Sequence, residues 1–152
     1  MEKNILNNIY HLYRSHIVTL ILFLLLGCVA LFVVVGVVKL NLIKPIIWKI
    51  VLITATLVSL VALLLIQINS LIPVYKDYKE SSYVVVENAT LTILTESSGV
   101  IDKTNAVLVN DGSGKTLKLK MQSDLRLSFN CTYTGTIAYT INSDYVIWYS
   151  FD

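Results

Sequence analysis

Charge is scarce in this 152-residue chain. Only 14% of its residues are Asp, Glu, Lys or Arg, against about 25% in an ordinary soluble domain. Cysteine, histidine and proline are scarcer still, at two residues each. Cys28 lies inside an apolar run and Cys131 far outside it, which excludes a disulfide framework and a cysteine-rich zinc site. Cys131 reads as a small buried hydrophobe. His11 and His16 have neither acidic neighbours nor a ligand spacing, so no metal is expected. The C-terminal half has no histidine, which leaves a Ser or Cys nucleophile without its usual base. Its carboxylates, Glu87, Glu96, Asp102, Asp111, Asp124 and Asp144, fall mostly at turns, where Asp serves local backbone hydrogen bonds. No two of them are marked as convergent. The expectation is a protein that is not an enzyme and holds no cofactor.

What fills the chain instead is apolar, at 55% of residues. Residues 17–38 and 51–72 are two 22-residue runs without a charged side chain. Roughly 20 apolar residues rising 1.5 Å each cross a hydrocarbon core of ~30 Å, so both runs are long enough to span a bilayer. The first run exceeds the apolar core of about 7–15 residues usual in a signal peptide, and no convincing cleavage site follows it. It is expected to be retained. Neither run contains Asp, Glu or Arg, which argues against a proton or ion relay.

Flanking residues divide the chain further. Residues 1–16 carry Ile5, Leu6, Ile9, Leu12 and Tyr13 at helical spacing, an apolar stripe read as an interfacial segment. Tyr10, Tyr13 and Arg14 mark the membrane boundary there, and Tyr75 and Tyr78 mark it after the second span. The connection, 39–50, is short and basic, with Lys39, Lys44 and Lys49. Pro45 stands at the start of the second helix, where its missing N–H is harmless. Lys44, Trp48 and Lys49 are further interface residues, Lys49 by snorkelling. So tight a connection makes an antiparallel hairpin with both termini on one side. In the second span Ala55, Ser59 and Ala62 share one face of small residues that lets a helix approach closely. Gly27 and Ala30 offer a counterpart in the first, and packing within the hairpin is the preferred reading of that face.

Residues 73–82 form an amphiphilic stalk. From there the period changes from 3.6 to 2. Strands are expected at 83–86, 90–95, 106–109, 116–121, 126–133, 136–142 and 145–151. In the best of them Leu117, Leu119 and Met121 share one face. The region 83–152 therefore reads as a small antiparallel β-barrel or sandwich. Gly112-Ser113-Gly114-Lys115-Thr116 looks like the end of a phosphate loop, but Val109 stands where the first Gly belongs. A strand pattern also follows where a helix is required. A hairpin turn is the expectation, and no nucleotide. The triplets Asn88-Ala89-Thr90 and Asn130-Cys131-Thr132 are read as strand sequence rather than glycosylation sites. Aromatics gather in the final hairpin. Tyr139, Tyr145, Trp148 and Tyr149 are candidates for a partner-binding surface on whichever face is not core.

Charge divides as +4 over residues 1–75 and −2 over 76–152. The basic residues flank the spans rather than forming a face for nucleic acid, and none is expected to bind. Three lysines crowd the short connection, against Lys3, Arg14, Lys76 and Lys79 on the other side. That density places the connection in the cytoplasm and the C-terminal region outside.

Two spans followed by a small β region resemble the NfeD-like layout. The stretch Pro73-Val74-Tyr75-Lys76-Asp77-Tyr78-Lys79, with Tyr83-Val84-Val85-Val86-Glu87-Asn88 after it, resembles small membrane proteins of Gram-positive bacteria. In those a Tyr-Lys-Asp-Tyr stalk leads into an OB- or SH3-like β domain. This chain departs from them at Asn88, where such strands carry Gly. The resemblance implies a fold and a bacterial cytoplasmic membrane, and no site residues. Together these readings give a membrane-anchored accessory protein whose β domain binds a membrane or secreted protein. It would be an immunity protein, or a subunit of a transporter or secretion complex. The alternatives are a homo-oligomeric structural protein and a binder of small ligands or lipid.

Overall fold

The computed structural model describes residues 1–40, 45–96, 104–112, 114–122, 127–128 and 131–151. Two long helices come first, α1 (Glu2–Lys39) and α2 (Ile46–Glu80). Five strands follow: β1 (Tyr83–Glu96), β2 (Thr104–Asn110), β3 (Thr116–Gln122), β4 (Thr132–Thr140) and β5 (Tyr145–Phe151). The chain divides into two compact units. One joins Met1–Tyr13 to Pro73–Asp152; the other is Arg14–Ile72.

Both helices outrun the apolar runs that announce them. Glu2 in the first turn of α1 and Lys39 in its last complement the helix dipole. The expected stalk is the end of α2, which continues through Pro73 although that residue has no N–H to give to the preceding turn. The helix stops in a Schellman cap. Ser81 takes the left-handed conformation, φ 50°, and Ser82 N–H donates to the Asp77 carbonyl at 3.0 Å.

The strands close into a barrel in the order β1-β2-β3-β5-β4. Closure favours the barrel over the sandwich, and the expectation that the strands are all antiparallel is corrected. Four of the neighbour pairs are antiparallel, but β3 and β5 run parallel, with Lys120 opposite Tyr145 and Met121 opposite Val146. The pairing of β3 with β5 bypasses β4, so the seam joins strands that a simple meander would keep apart. Strand β1 makes this possible by serving two neighbours. Residues 83–86 pair with β4, and 90–92 pair with β4 and β2 at once. Between these stretches the register shifts at a bulge, where Asn88 sits at φ 55°. Asn tolerates that conformation better than other side-chain-bearing residues, so it fills the place of the Gly expected there. Two of the expected strands, 83–86 and 90–95, are thus one bent strand.

Alternation fills the interior. Ala89, Leu91 and Ile93 of β1 meet Val107 and Val109, Leu119 and Met121, Ile137 and Val146 in one buried cluster. The pattern of β3 holds, since Leu119 and Met121 are buried and Leu117 packs beside them. Gly112 and Gly114 turn the chain between β2 and β3 with φ of 77° and 89°, so the phosphate-loop look-alike is a hairpin leading into a strand. In the expected strand 126–133 only 127–128 and 131–133 are described, and β4 begins at Thr132. Gly135 is required by close approach. A Cβ there would run into the Ser150 carbonyl oxygen and lie 2.8 Å from Phe151 Cα.

In the unit Arg14–Ile72 the helices are long and apolar enough to cross a membrane. They touch where Gly27 is buried, since a Cβ on it would come within 2.9 Å of the Leu60 side chain. Ile53, Thr56, Leu60, Leu64 and Gln67 are the half-buried positions on this side of α2, a stripe at spacings of three and four. Most of the other apolar residues of α2 and many of α1 are exposed, Phe32 at 82% and Ile46 at 71% among them.

Candidate functional site

The first surface is the exterior of β4 and β5. Alternation turns Ile137 inward and should leave Ala138 to solvent, yet both are wholly buried. The cover is the first three turns of α1. Ile5 and Ile9 pack with Ala138 beside Tyr83, Ile147 and Trp148. Leu12 packs with Val74 and Tyr145. Asn8 Nδ2 donates to the Ile147 carbonyl at 2.7 Å. The small side chain of Ala138 leaves room for the two isoleucines, each of which contributes about 1.5–3 kcal/mol by burial.

This packing bears on two expectations. The apolar stripe of residues 1–16 is covered by protein through Ile5, Ile9 and Leu12, while Leu6 of the same stripe is exposed. The aromatic final hairpin is likewise engaged within the chain. Tyr145 and Trp148 lie under α1, while Tyr139 and Tyr149 pack against the barrel core. Tyr149 also stacks on Phe151 at 4.7 Å, and Phe151 on Tyr133 at 5.2 Å. The N-terminal segment of the same chain thus covers part of that surface.

The second feature is a carboxylate that sequence reasoning passed over. Asp77 is fully buried at the end of α2, against the β4–β5 turn. One oxygen, Oδ1, accepts from Asn142 N at 2.9 Å and Asn142 Nδ2 at 2.8 Å. The other, Oδ2, accepts from Ser143 N at 2.9 Å and Ser143 Oγ at 2.5 Å. Ser143 Oγ lies 2.8 Å from Thr140 Oγ1, which accepts from Tyr145 N at 2.8 Å. Such a fully bonded carboxylate is a clamp. Read as part of a Tyr-Lys-Asp-Tyr stalk, it carried no sign of being turned inward. Its place three residues after Val74, on one helical face, was the available signal.

Tyrosines form the third feature. Tyr13 and Tyr78 stack at 4.6 Å with planes 7° apart. Tyr75 lies 5.8 Å from Tyr13, and Tyr10 lies 6.0 Å from Tyr78. All four belong to the barrel unit, so the residues expected at the start of the first span and at the end of the second form one cluster. Arg14, Trp48 and Lys49 lie in the other unit, the first two exposed and Lys49 half-buried. Lys44 is outside the described residues.

The small-residue positions separate. Gly27 is at the helix contact, but Ala30, Ala55, Ser59 and Ala62 are exposed. That corrects the reading of Ala55, Ser59 and Ala62 as the hairpin seam; α2 meets Gly27 with Leu60 instead. Cys131 is exposed, against expectation, and both cysteines are free. Among the described residues no group of three or more His, Cys, Asp or Glu is placed to hold a metal. Compared with protein-family models, curated proteins and solved structures, the chain matches none.

Proposed function

We propose that the chain is an integral membrane protein, a non-enzymatic accessory that holds a small barrel beside the bilayer for a protein partner. The observation that carries this is the apolar surface of 14–72, which is exposed nearly all round. A helix apolar on all sides requires an apolar surrounding. Its hydroxyls suit that surrounding, since Thr19 and Thr56 donate back to the carbonyls of Ser15 and Leu52 at 3.0 and 2.8 Å. Residues before and after the hairpin join in one unit, which supports both termini on one side. The closed order with parallel β3 and β5 supports an OB-like barrel over an SH3-like one. With the aromatic hairpin occupied, the exterior left to a partner combines exposed Lys118, Lys120, Thr132 and Thr134 with exposed Val85, Leu94 and Ile141. An immunity protein or a subunit of a transporter or secretion complex in the bacterial cytoplasmic membrane fits this design. Alkaline extraction tests the anchor, because release of the chain from membranes refutes it. Crosslinking in native membranes tests the accessory role, which requires a heteromeric product.

A second reading follows from the exposed face of Ala55, Ser59 and Ala62, which is open to another copy of α2. It requires a purely homomeric ladder in the same crosslinking experiment, abolished by Ala55→Leu with Ala62→Leu.

A further inference from the structure

We infer that Tyr10, Tyr13, Tyr75 and Tyr78 form a composite binding site for the headgroup of an anionic phospholipid. The inference rests on the membrane-anchored reading and deepens it. Two segments far apart in sequence converge here, and a purely structural cluster would be expected to bury its rings. Instead Tyr10, Tyr75 and Tyr78 remain 43%, 46% and 40% exposed, although Tyr78 stacks on Tyr13 and the rings of Tyr75 and Tyr10 lie tilted against Tyr13 and Tyr78. Among the described residues, none of the four phenol groups hydrogen-bonds to protein, so the O–H donors of exposed Tyr10, Tyr75 and Tyr78 are available to an acceptor outside the chain. The cluster lies at the two chain positions where the apolar helices begin and end, and an amphipathic ring suits the level of the headgroups there.

Charge decides the class of lipid. On α2, Lys79 follows Tyr75 by four residues and shares its face. Lys79 is exposed. Asp77, the acid nearest in sequence to Tyr75 and Tyr78, is turned into the barrel and taken up by its four donors. Phenol donors with the Lys79 ammonium one turn along the same helix match the oxygens and negative charge of a phosphodiester.

The test uses the full chain, purified in mild neutral detergent, with bound lipid read by native mass spectrometry. Phosphatidylglycerol is expected to be retained at about fivefold lower concentration than phosphatidylcholine, and Lys79→Gln to abolish most of that preference. Tyr75→Phe with Tyr78→Phe keeps the rings and their stack. It should weaken phosphatidylglycerol by about two- to tenfold with no change in thermal unfolding. Equal retention of the two lipids, or wild-type retention by both variants, overturns the site and leaves the cluster as packing. Competition by glycerol phosphate without acyl chains would make the ligand a soluble phosphate ester and overturn the lipid assignment. Alkaline extraction of the same membranes separates the premises. A chain that is released refutes the anchor as well, whereas one that stays embedded but shows no lipid preference refutes the headgroup site alone.

Discussion

Gly135, Asp77 and Ser81 show how single residues carry this fold, each for a different physical reason. At Gly135 the reason is space. The backbone of Ser150 and Phe151 occupies the room a side chain needs, so Gly135→Ala must push β4 from β5. The expected loss is about 3 kcal/mol or more, read as a lower midpoint in thermal unfolding followed by circular dichroism. At Asp77 the reason is desolvation. Asp77→Ala would strand the backbone donors of Asn142 and Ser143 beneath α2, and a loss of about 3 kcal/mol is expected. Asp77→Asn keeps one acceptor oxygen and should recover part of that in the same measurement. At Ser81 the reason is backbone conformation. A left-handed residue with a Cβ costs about 1–2 kcal/mol, so Ser81→Gly is expected to raise the midpoint while leaving the helix cap in place.

The informative element is the N-terminal three turns of α1. A free helix of this length is marginal in water, and Ile5, Ile9 and Leu12 hold it by burial against the barrel. Ile5→Ala with Ile9→Ala removes two wholly buried side chains, each worth about 2–5 kcal/mol. Trp148 reports the outcome, since it packs against the same cluster. With Trp48 changed to Phe, the double variant should shift the remaining tryptophan emission to longer wavelength. Unchanged emission would mean that α1 does not cover Trp148. Strand β1 shows a second lesson. Its bulge at Asn88 divides one strand into two apparent ones, because a left-handed residue interrupts alternation without ending the strand.

At the scale of the molecule, the arrangement ties both ends of the hairpin to one barrel unit. A chain whose termini faced opposite sides of a membrane could not assemble it. Orientation is open to a direct measurement through the native exposed thiol of Cys131. With Cys28→Ser, an impermeant maleimide should label intact cells at Cys131, as expected for an extracytoplasmic barrel. Labelling only after lysis would place the barrel in the cytoplasm.

Local chemistry was enough for much of this protein. Unbroken apolarity announces helices long enough for a membrane, and period-2 alternation announces β3 and β5. The Asp-Gly-Ser-Gly turn announces a hairpin rather than a phosphate loop. Each signal is contained within a few neighbouring residues. Contacts between distant segments decided the rest. The parallel seam of β3 and β5 depends on chain crossings that leave no local pattern. The inward turn of Asp77 depends on donors 65 and 66 residues away. Ala55, Ser59 and Ala62 lost the helix contact to Leu60 because small size permits close approach without choosing a partner. The stripe at Ile5, Ile9 and Leu12 was legible as apolar, but what covers an apolar stripe is settled only when a complementary surface folds beside it. Here Ala138, Ile147 and Trp148 supply that surface.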